Sequence, residues 1–201
     1  MSFSMLSTLR IFACALLLPL AACSDQSAPF NAIDITGIQG YGTDIRLTDH
    51  TGKPRTLADF RGKVVAVFFG FTHCPDVCPT TLADMRTVMS QLGADAERLQ
   101  VLFVSVDPKR DTPDLLSRYV PSFHPSFIGL TGSADAVAKV ASDFKIFVRE
   151  QPGKTPETYT VDHSAGMLVF DPAGRLRLFV NNGMPPEKMA PDFKRLLKDA
   201  R

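Results

Sequence analysis

Net charge is almost absent from this sequence. Lys and Arg total 22 against 21 Asp and Glu over 201 residues, leaving +1 with histidine neutral. So even a balance excludes the bulk electrostatic attraction that marks nucleic-acid binding. Tryptophan is missing, which decides nothing about function, and the 15 phenylalanines decide no more. No internal repeat is visible. What is plentiful is apolar surface: 45% hydrophobic residues exclude a disordered chain, and the length supports one domain with a sizeable core.

A membrane-spanning run is also lacking at the N-terminus. Ile11–Leu20, preceded by Arg10, is apolar but too short to cross a bilayer by itself. It leads into Leu20-Ala21-Ala22-Cys23, which resembles the bacterial lipobox, where cleavage precedes the cysteine and the new N-terminus is lipidated. An uncleaved anchor and a plain secretory signal remain the alternatives. The expected organisation is a lipoprotein signal peptide at 1–22, a membrane-proximal tether at 23–42 and a folded domain at 43–201. The protein would then face the periplasm from a bacterial membrane, with the choice of membrane open.

Cysteine is scarce at four residues. Cys14 would be discarded and Cys23 acylated, which leaves Cys74 and Cys78 in a compartment where disulfides persist. Bridging so short a loop removes little chain entropy, so a purely stabilising role is weak.

These two cysteines sit in KVVAVFFGFTHCPDVCPTTLADM, Lys63–Met85. Its apolar start suits a strand buried on both faces, and its end suits a helix. If both thiols share one helical turn, their Cβ atoms stand about 5–6 Å apart. A disulfide needs roughly 3.5–4.5 Å. Thiolate–metal bonds of about 2.3 Å bridge the wider gap more easily. A helix start should also favour the thiolate, and Pro75 and Pro79 suit a first turn. The plain alternative is a pair of buried core cysteines.

Along the rest of the chain, short strands at 44–48 and 55–57 flank a turn and form a hairpin. A helix is expected from about Cys78 to Leu92, a strand over Gln100–Val106, and a helix from Pro113 to about Tyr119. A strand at Phe127–Leu130 precedes a helix capped by Ser133 and reaching Phe144. Residues 145–156 read as an insertion with Pro and Gly that could form a hairpin, followed by a tight polar loop at Val161–Ser164. Strands at 165–170 and 176–180 flank the turn Asp171-Pro172-Ala173-Gly174, and a helix over 185–200 closes the chain. This is an α/β pattern: a thioredoxin-like central mixed sheet with helices on both faces and an N-terminal β-hairpin extension.

Two thiolates need one more donor for a trigonal soft-metal site. His50, His73, His124 and His163 are available, and His163 is best placed, since its loop should face the start of the first core helix. A lone histidine is more often structural or solvated. Asp162 is a candidate outer partner of that imidazole or a solvent-facing aspartate. Met167, Met184 and Met189 fit a core better than a site. Asp107 and Arg110 either position a partner or brace their loop, and bracing is favoured.

FFGFTHCPDVCPTTLADM, VSVDPKRDTP and VDHSAGMLVFDPAGRL, in that order, resemble the Sco/SenC family of copper-binding, thioredoxin-like proteins over roughly residues 35–197. The resemblance implies that Cys74, Cys78 and His163 bind copper, as Cu(I) and in some states Cu(II). It implies a membrane-anchored metallochaperone that assists assembly of the dinuclear copper site in cytochrome c oxidase subunit II, with an unidentified periplasmic copper donor. Many family members carry a transmembrane anchor, whereas a lipid anchor is expected here. Copper release is expected to begin with a partner ligand replacing His163.

The competing reading is a thiol–disulfide oxidoreductase in which Cys74 and Cys78 keep that site's cysteines, or those of another periplasmic copper protein, reduced. Thioredoxin-type enzymes space their cysteines by two residues and place a proline where this chain has Val161-Asp162-His163. Both departures favour metal binding. A peroxiredoxin is disfavoured because Pro75 stands where that motif wants threonine.

Overall fold

The apolar run Val64–Gly70 is a strand buried along its whole length. The computed structural model describes residues 28–155 and 158–199. Strands β1 (Ile33–Asp34), β2 (Leu47–Asp49), β3 (Pro54–Arg55) and β4 (Val64–Gly70) lead into helix α1 (Val77–Leu92). Then follow β5 (Leu99–Ser105), α2 (Pro113–Phe123), β6 (Ile128–Thr131), α3 (Ala134–Asp143), β7 (Val148–Gln151), β8 (Thr160–His163), β9 (Met167–Phe170), β10 (Leu176–Val180) and α4 (Pro186–Lys198).

The main sheet runs β1-β10-β9-β4-β5-β6-β2-β3. Its centre, β4-β5-β6, is parallel, and β9 joins β4 antiparallel. Because side chains alternate across a strand, β4 feeds two cores. Phe68 packs on Phe103 (ring centroids 6.0 Å) and Phe103 on Tyr119 of α2 (5.9 Å). On the other face, Phe69 packs on Phe144 at the end of α3 (6.0 Å), which also meets Phe170 (6.1 Å). Each fully buried phenylalanine contributes about 1.5–3 kcal/mol. Helices on both faces of a mixed sheet are the expected thioredoxin-like arrangement. The expected N-terminal hairpin, β2–β3, extends the sheet beyond β6.

Several boundaries differ from expectation. The described part of the segment read as a tether, from residue 28, is docked: β1 pairs with β10, and the Asp192 carboxylate in α4 accepts the backbone N–H groups of Asn31 (3.1 Å) and Ala32 (2.8 Å). Helix α2 runs past Tyr119, with Val120 buried; Pro121 gives up the bond to the Ser117 carbonyl, and the helix ends two residues later at Phe123. Residues 160–163 form a strand instead of a loop. Their partner β7 lies in the supposed insertion, paired from Val148 with His163 to Gln151 with Thr160. β7 is largely exposed and lacks an apolar signature. The signal peptide and Cys23 lie outside the described residues, as does the far end of the last helix expectation at Ala200. Among the described residues no helix is long and apolar enough to cross a membrane.

The hairpins β2–β3 and β9–β10 close with the same device, Asp-x-x-Gly-(Lys/Arg)-x-Arg. Asp49 accepts from Thr51 N–H (2.8 Å), Lys53 N–H (3.0 Å) and Arg55 Nε (2.7 Å). Asp171 accepts from Ala173 N–H (3.0 Å), Arg175 N–H (3.0 Å) and Arg177 Nη1 (3.2 Å). Gly52 and Gly174 take the positive φ, 86° and 75°, that each turn requires. Burial alone would raise both carboxyls, but these hydrogen bonds hold each below the usual range. A depressed folded pKa gives stability that is complete above the unfolded value of about 3.9 and is lost as pH falls through the folded one. Urea midpoints should therefore drop in wild type below pH about 4. The double variant Asp49→Asn, Asp171→Asn should start lower at pH 7 and fall less steeply. Parallel curves would show that other groups carry the acid sensitivity.

Candidate metal centre

β4 ends at Gly70, and the chain turns through Phe71–Asp76 before α1 begins. Cys74 lies in that turn, its N–H donating to the Phe71 carbonyl (3.3 Å). Cys78 is the second residue of α1. The two cysteines therefore do not share a regular helical turn, and only Pro79 occupies the first turn, with Pro75 outside it. Cys74 Sγ instead accepts the Cys78 N–H at 3.5 Å, a cap that the Asp76 side chain does not supply. A sulfur in that position faces the positive end of the helix dipole.

Both thiols are free, Cys74 half-buried and Cys78 fully buried. The Cys78 sulfur fits because residue 70 is glycine. A Cβ there would lie 2.8 Å from Cys78 Sγ, 2.9 Å from Phe103 Cε2 and 3.0 Å from Phe68 Cε1. Burial pushes the Cys78 thiol far up, against a backbone hydrogen bond with Phe71 that opposes the shift. The expected thiolate-favouring effect of the helix start is thus overruled at Cys78 by desolvation.

His163 ends β8 and turns its ring edge-on to Phe71 (5.9 Å, 87°) and Phe68 (6.4 Å, 70°). Its Nδ1 lies 2.9 Å from the Ser164 carbonyl oxygen, so Nδ1 carries the proton and donates. Nε2 then offers its lone pair toward Cys78 Sγ, 3.9 Å away. Burial lowers the imidazole pKa, with the Ser164 bond opposing, and favours the neutral ligand form. Asp162 is not its orienting partner: neighbours on a strand point to opposite faces, and the Asp162 carboxylate accepts from Gln151 Nε2 at 2.5 Å.

The donor chemistry fits a soft metal. Bonds of about 2.3 Å to sulfur and about 2.0 Å to nitrogen, 120° apart, separate the two atoms by about 3.7 Å. The Cys78–His163 pair stands close to that at 3.9 Å. Among the described residues no three His, Cys, Asp or Glu side chains are already drawn into a metal cluster. Cys74 is the donor still engaged elsewhere, at the Cys78 N–H.

The supporting loops explain the other candidates. Arg110 Nε donates to Asp107 (2.5 Å), Arg110 Nη1 to the Tyr159 carbonyl (2.9 Å), and the Tyr159 hydroxyl to Asp107 (2.7 Å). The guanidinium also lies 3.6 Å from the Tyr159 ring centroid. Asp107 and Arg110 brace their loop against the segment leading into β8. Asp111, unremarked in the sequence reading, is fully buried and accepts from Thr72 N–H (3.1 Å), Thr72 Oγ1 (2.6 Å) and Ser105 Oγ (2.7 Å), fixing the turn before Cys74. His50 Nδ1 accepts the Gly129 N–H (3.0 Å), His124 Nδ1 pairs with Ser126 (2.8 Å), and His73 is exposed beside Thr72. Met167, Met184 and Met189 line a small cavity that neither cysteine borders. Gly70, Asp111 and Ser164 lie within the family-like motifs FFGF, DPKRDTP and DHS, but nothing local in the sequence marks what each does: seating a sulfur, fixing a turn and orienting an imidazole.

A family model described as SCO1/SenC matches residues 34–198. The mitochondrial SCO2 homolog of Bos taurus is 39% identical over 154 residues, covering 76% of this chain and 58% of that protein. The chain thus spans under two thirds of the length of such curated mitochondrial relatives. Bradyrhizobium japonicum ScoI, solved with copper bound, is 40% identical with a TM-score of 0.72, covering 78% of this chain and 99% of that one. A SCO1/SenC family lipoprotein from Bacillus anthracis is 29% identical with a TM-score of 0.65, covering 76% of this chain and 92% of that one.

Gly70 offers a direct check of the site's packing. In a strand, Gly→Ala ordinarily gains by reducing backbone freedom. Here the new methyl meets three buried side chains, so Gly70→Ala should lower the unfolding free energy by about 1–3 kcal/mol. Urea unfolding at pH 7 measures it. An unchanged or raised midpoint would mean that the sulfur is not seated on the glycine.

Proposed function

The chain belongs to the SCO1/SenC family, and from that premise we propose that it is a copper metallochaperone with Cys74, Cys78 and His163 as its three ligands. The observation that carries this reading is the Cys78–His163 pair: a buried sulfur and a nitrogen whose lone pair faces it, 3.9 Å apart. Two thiolates and an imidazole form a compact soft set that suits Cu(I), and Cu(II) can add a fourth donor. The copper-bound ScoI structure supports copper as the cargo.

The two inner ligands are fixed before copper arrives. Cys78 is held on Gly70, and the imidazole is held by Ser164 and two phenyl rings. Cys74 turns its sulfur from the Cys78 N–H to close the trigon. Binding must remove the protons of both thiols, so metal affinity rises with pH. For release, an incoming thiolate or imidazole meets Cys74 more readily than His163. Cys74 sits in a turn with one long hydrogen bond, whereas His163 sits on a paired strand. This reverses the expected order of ligand exchange. The family resemblance points to the copper site of cytochrome c oxidase subunit II as the recipient. The signal at 1–22 and the Bacillus lipoprotein support a Cys23 lipid anchor on the periplasmic side of a bacterial membrane.

The same asymmetry supports a second reading as a thiol–disulfide oxidoreductase. Cys74 is the accessible thiol that would attack a disulfide, and Cys78 waits behind it to resolve the mixed disulfide.

Cu(I) competition against a chelator separates the two. The wild-type protein should bind one Cu(I) tightly. His163→Ala and Cys78→Ser should each weaken binding by more than about tenfold, the loss that even outer partners of a metal site bring. Weak binding, equal in wild type and His163→Ala, would defeat the chaperone reading and leave the redox one.

A further inference from the structure

Tyr119 carries a buried hydroxyl with no hydrogen-bond partner among the described residues. Such a group costs free energy, and phenylalanine would pack as well without it. The ring lies on α2 against Phe103 (5.9 Å) and edge-on to Phe123 (5.3 Å, 70°). The Phe103 ring edge and Cys78 Sγ both border the space beside Gly70, 2.9 and 2.8 Å from the point a Cβ would occupy. Tyr119 therefore packs on the ring that borders the buried sulfur.

We infer that Tyr119 is a positioning residue of the metal site, its hydroxyl held as a hydrogen-bond donor for the cysteine sulfurs once they are thiolates bound to copper. A neutral thiol is a weak acceptor, whereas a thiolate is a strong one. The hydroxyl is then orphaned in the metal-free protein and satisfied in the loaded one. The phenol itself feels the sulfurs: burial pushes its pKa well up, and negative charge on Cys78, Cys74 and then Asp111 adds to the shift. The inference rests on the copper reading. It adds a ligand-state sensor that the three ligands alone do not provide. Donation also lowers the electron density on the sulfur, which raises the energy of thiolate-to-Cu(II) charge transfer.

Tyr119→Phe removes one oxygen and leaves the packing. In the purified protein its metal-free thermal midpoint should equal or exceed that of wild type. Its Cu(I) affinity should fall about tenfold, as for a lost hydrogen bond to a charged group. Its thiolate-to-Cu(II) band should move to longer wavelength. Unchanged affinity and band position, with wild type binding copper and His163→Ala failing to, would overturn the role of Tyr119 alone and leave a water-satisfied packing residue. Wild type failing to bind Cu(I) would instead overturn the copper reading on which the inference stands. A metal-free midpoint lowered in step with affinity would show a structural role and overturn the inference as well.

Discussion

The structure depends on one buried sulfur. Cys78 is wedged between the end of the central strand and its helix, where a charge has no solvent and an uncompensated thiolate is prohibitively costly. The thiol therefore stays neutral until something soft and positive displaces its proton. That desolvation is what would make this core cysteine, on the proposed reading, respond to a soft metal and not to pH. It also accounts for the glycine beneath it and the neutral imidazole above it. Any ligand set that included a second fixed charge near this sulfur would raise the cost again, and the nearest buried carboxylate, Asp111, spends its oxygens on Thr72 and Ser105 instead.

Around that sulfur, three chain segments distant in sequence must hold still. The β4–α1 turn is fixed by Asp111, the β5–α2 loop by the Asp107–Arg110 pair, and the β7–β8 hairpin by Tyr159 reaching back to Asp107. The aspartates lie four residues apart, so the loop after β5 anchors the cysteine turn on one side and the histidine hairpin on the other. Charge-assisted hydrogen bonds in partly buried positions are strong enough for this work, at about 1.5–3 kcal/mol each. The loop contributes none of the proposed donors, yet its bonds tie the turn that carries Cys74 to the segment leading into β8.

The central strands, the helix after the cysteines and the closing hairpin were legible because apolar runs and turn residues are local signals. So was the family, through CPDVCP, DPKRDTP and DHS in order. What escaped the sequence reading is tertiary. Strand β7 is exposed and reads as part of an insertion, and its pairing with β8 has no local signal. Ile33–Asp34 looks like part of a linker until the Asp192 carboxylate, some 160 residues away, pins the preceding backbone. The His163 partner was sought in the adjacent Asp162, but strand alternation sends that side chain the other way, and a backbone carbonyl does the orienting. The helix start predicts a favoured thiolate, and at Cys78 a burial that no local pattern reveals reverses that expectation.

A carrier of a tightly held ion faces two opposed demands. Affinity asks for desolvated, preorganised donors, while transfer asks for a donor that a partner can reach and replace. On the proposed reading, the chain answers by dividing its three ligands. Cys78 and His163 sit on paired elements with their orientations fixed by packing, so their ordering entropy is spent during folding and not on binding. Cys74 sits in the turn, half-exposed, its sulfur resting on a backbone N–H that takes it back when it leaves the metal. That N–H is a helix-terminal donor with no intrahelical acceptor, so returning the sulfur to it offsets part of the cost of breaking the metal bond. The spacing of three residues between the cysteines follows from this division. It is the distance that keeps one sulfur inside the helix and the other outside it, near enough to cap its first turn.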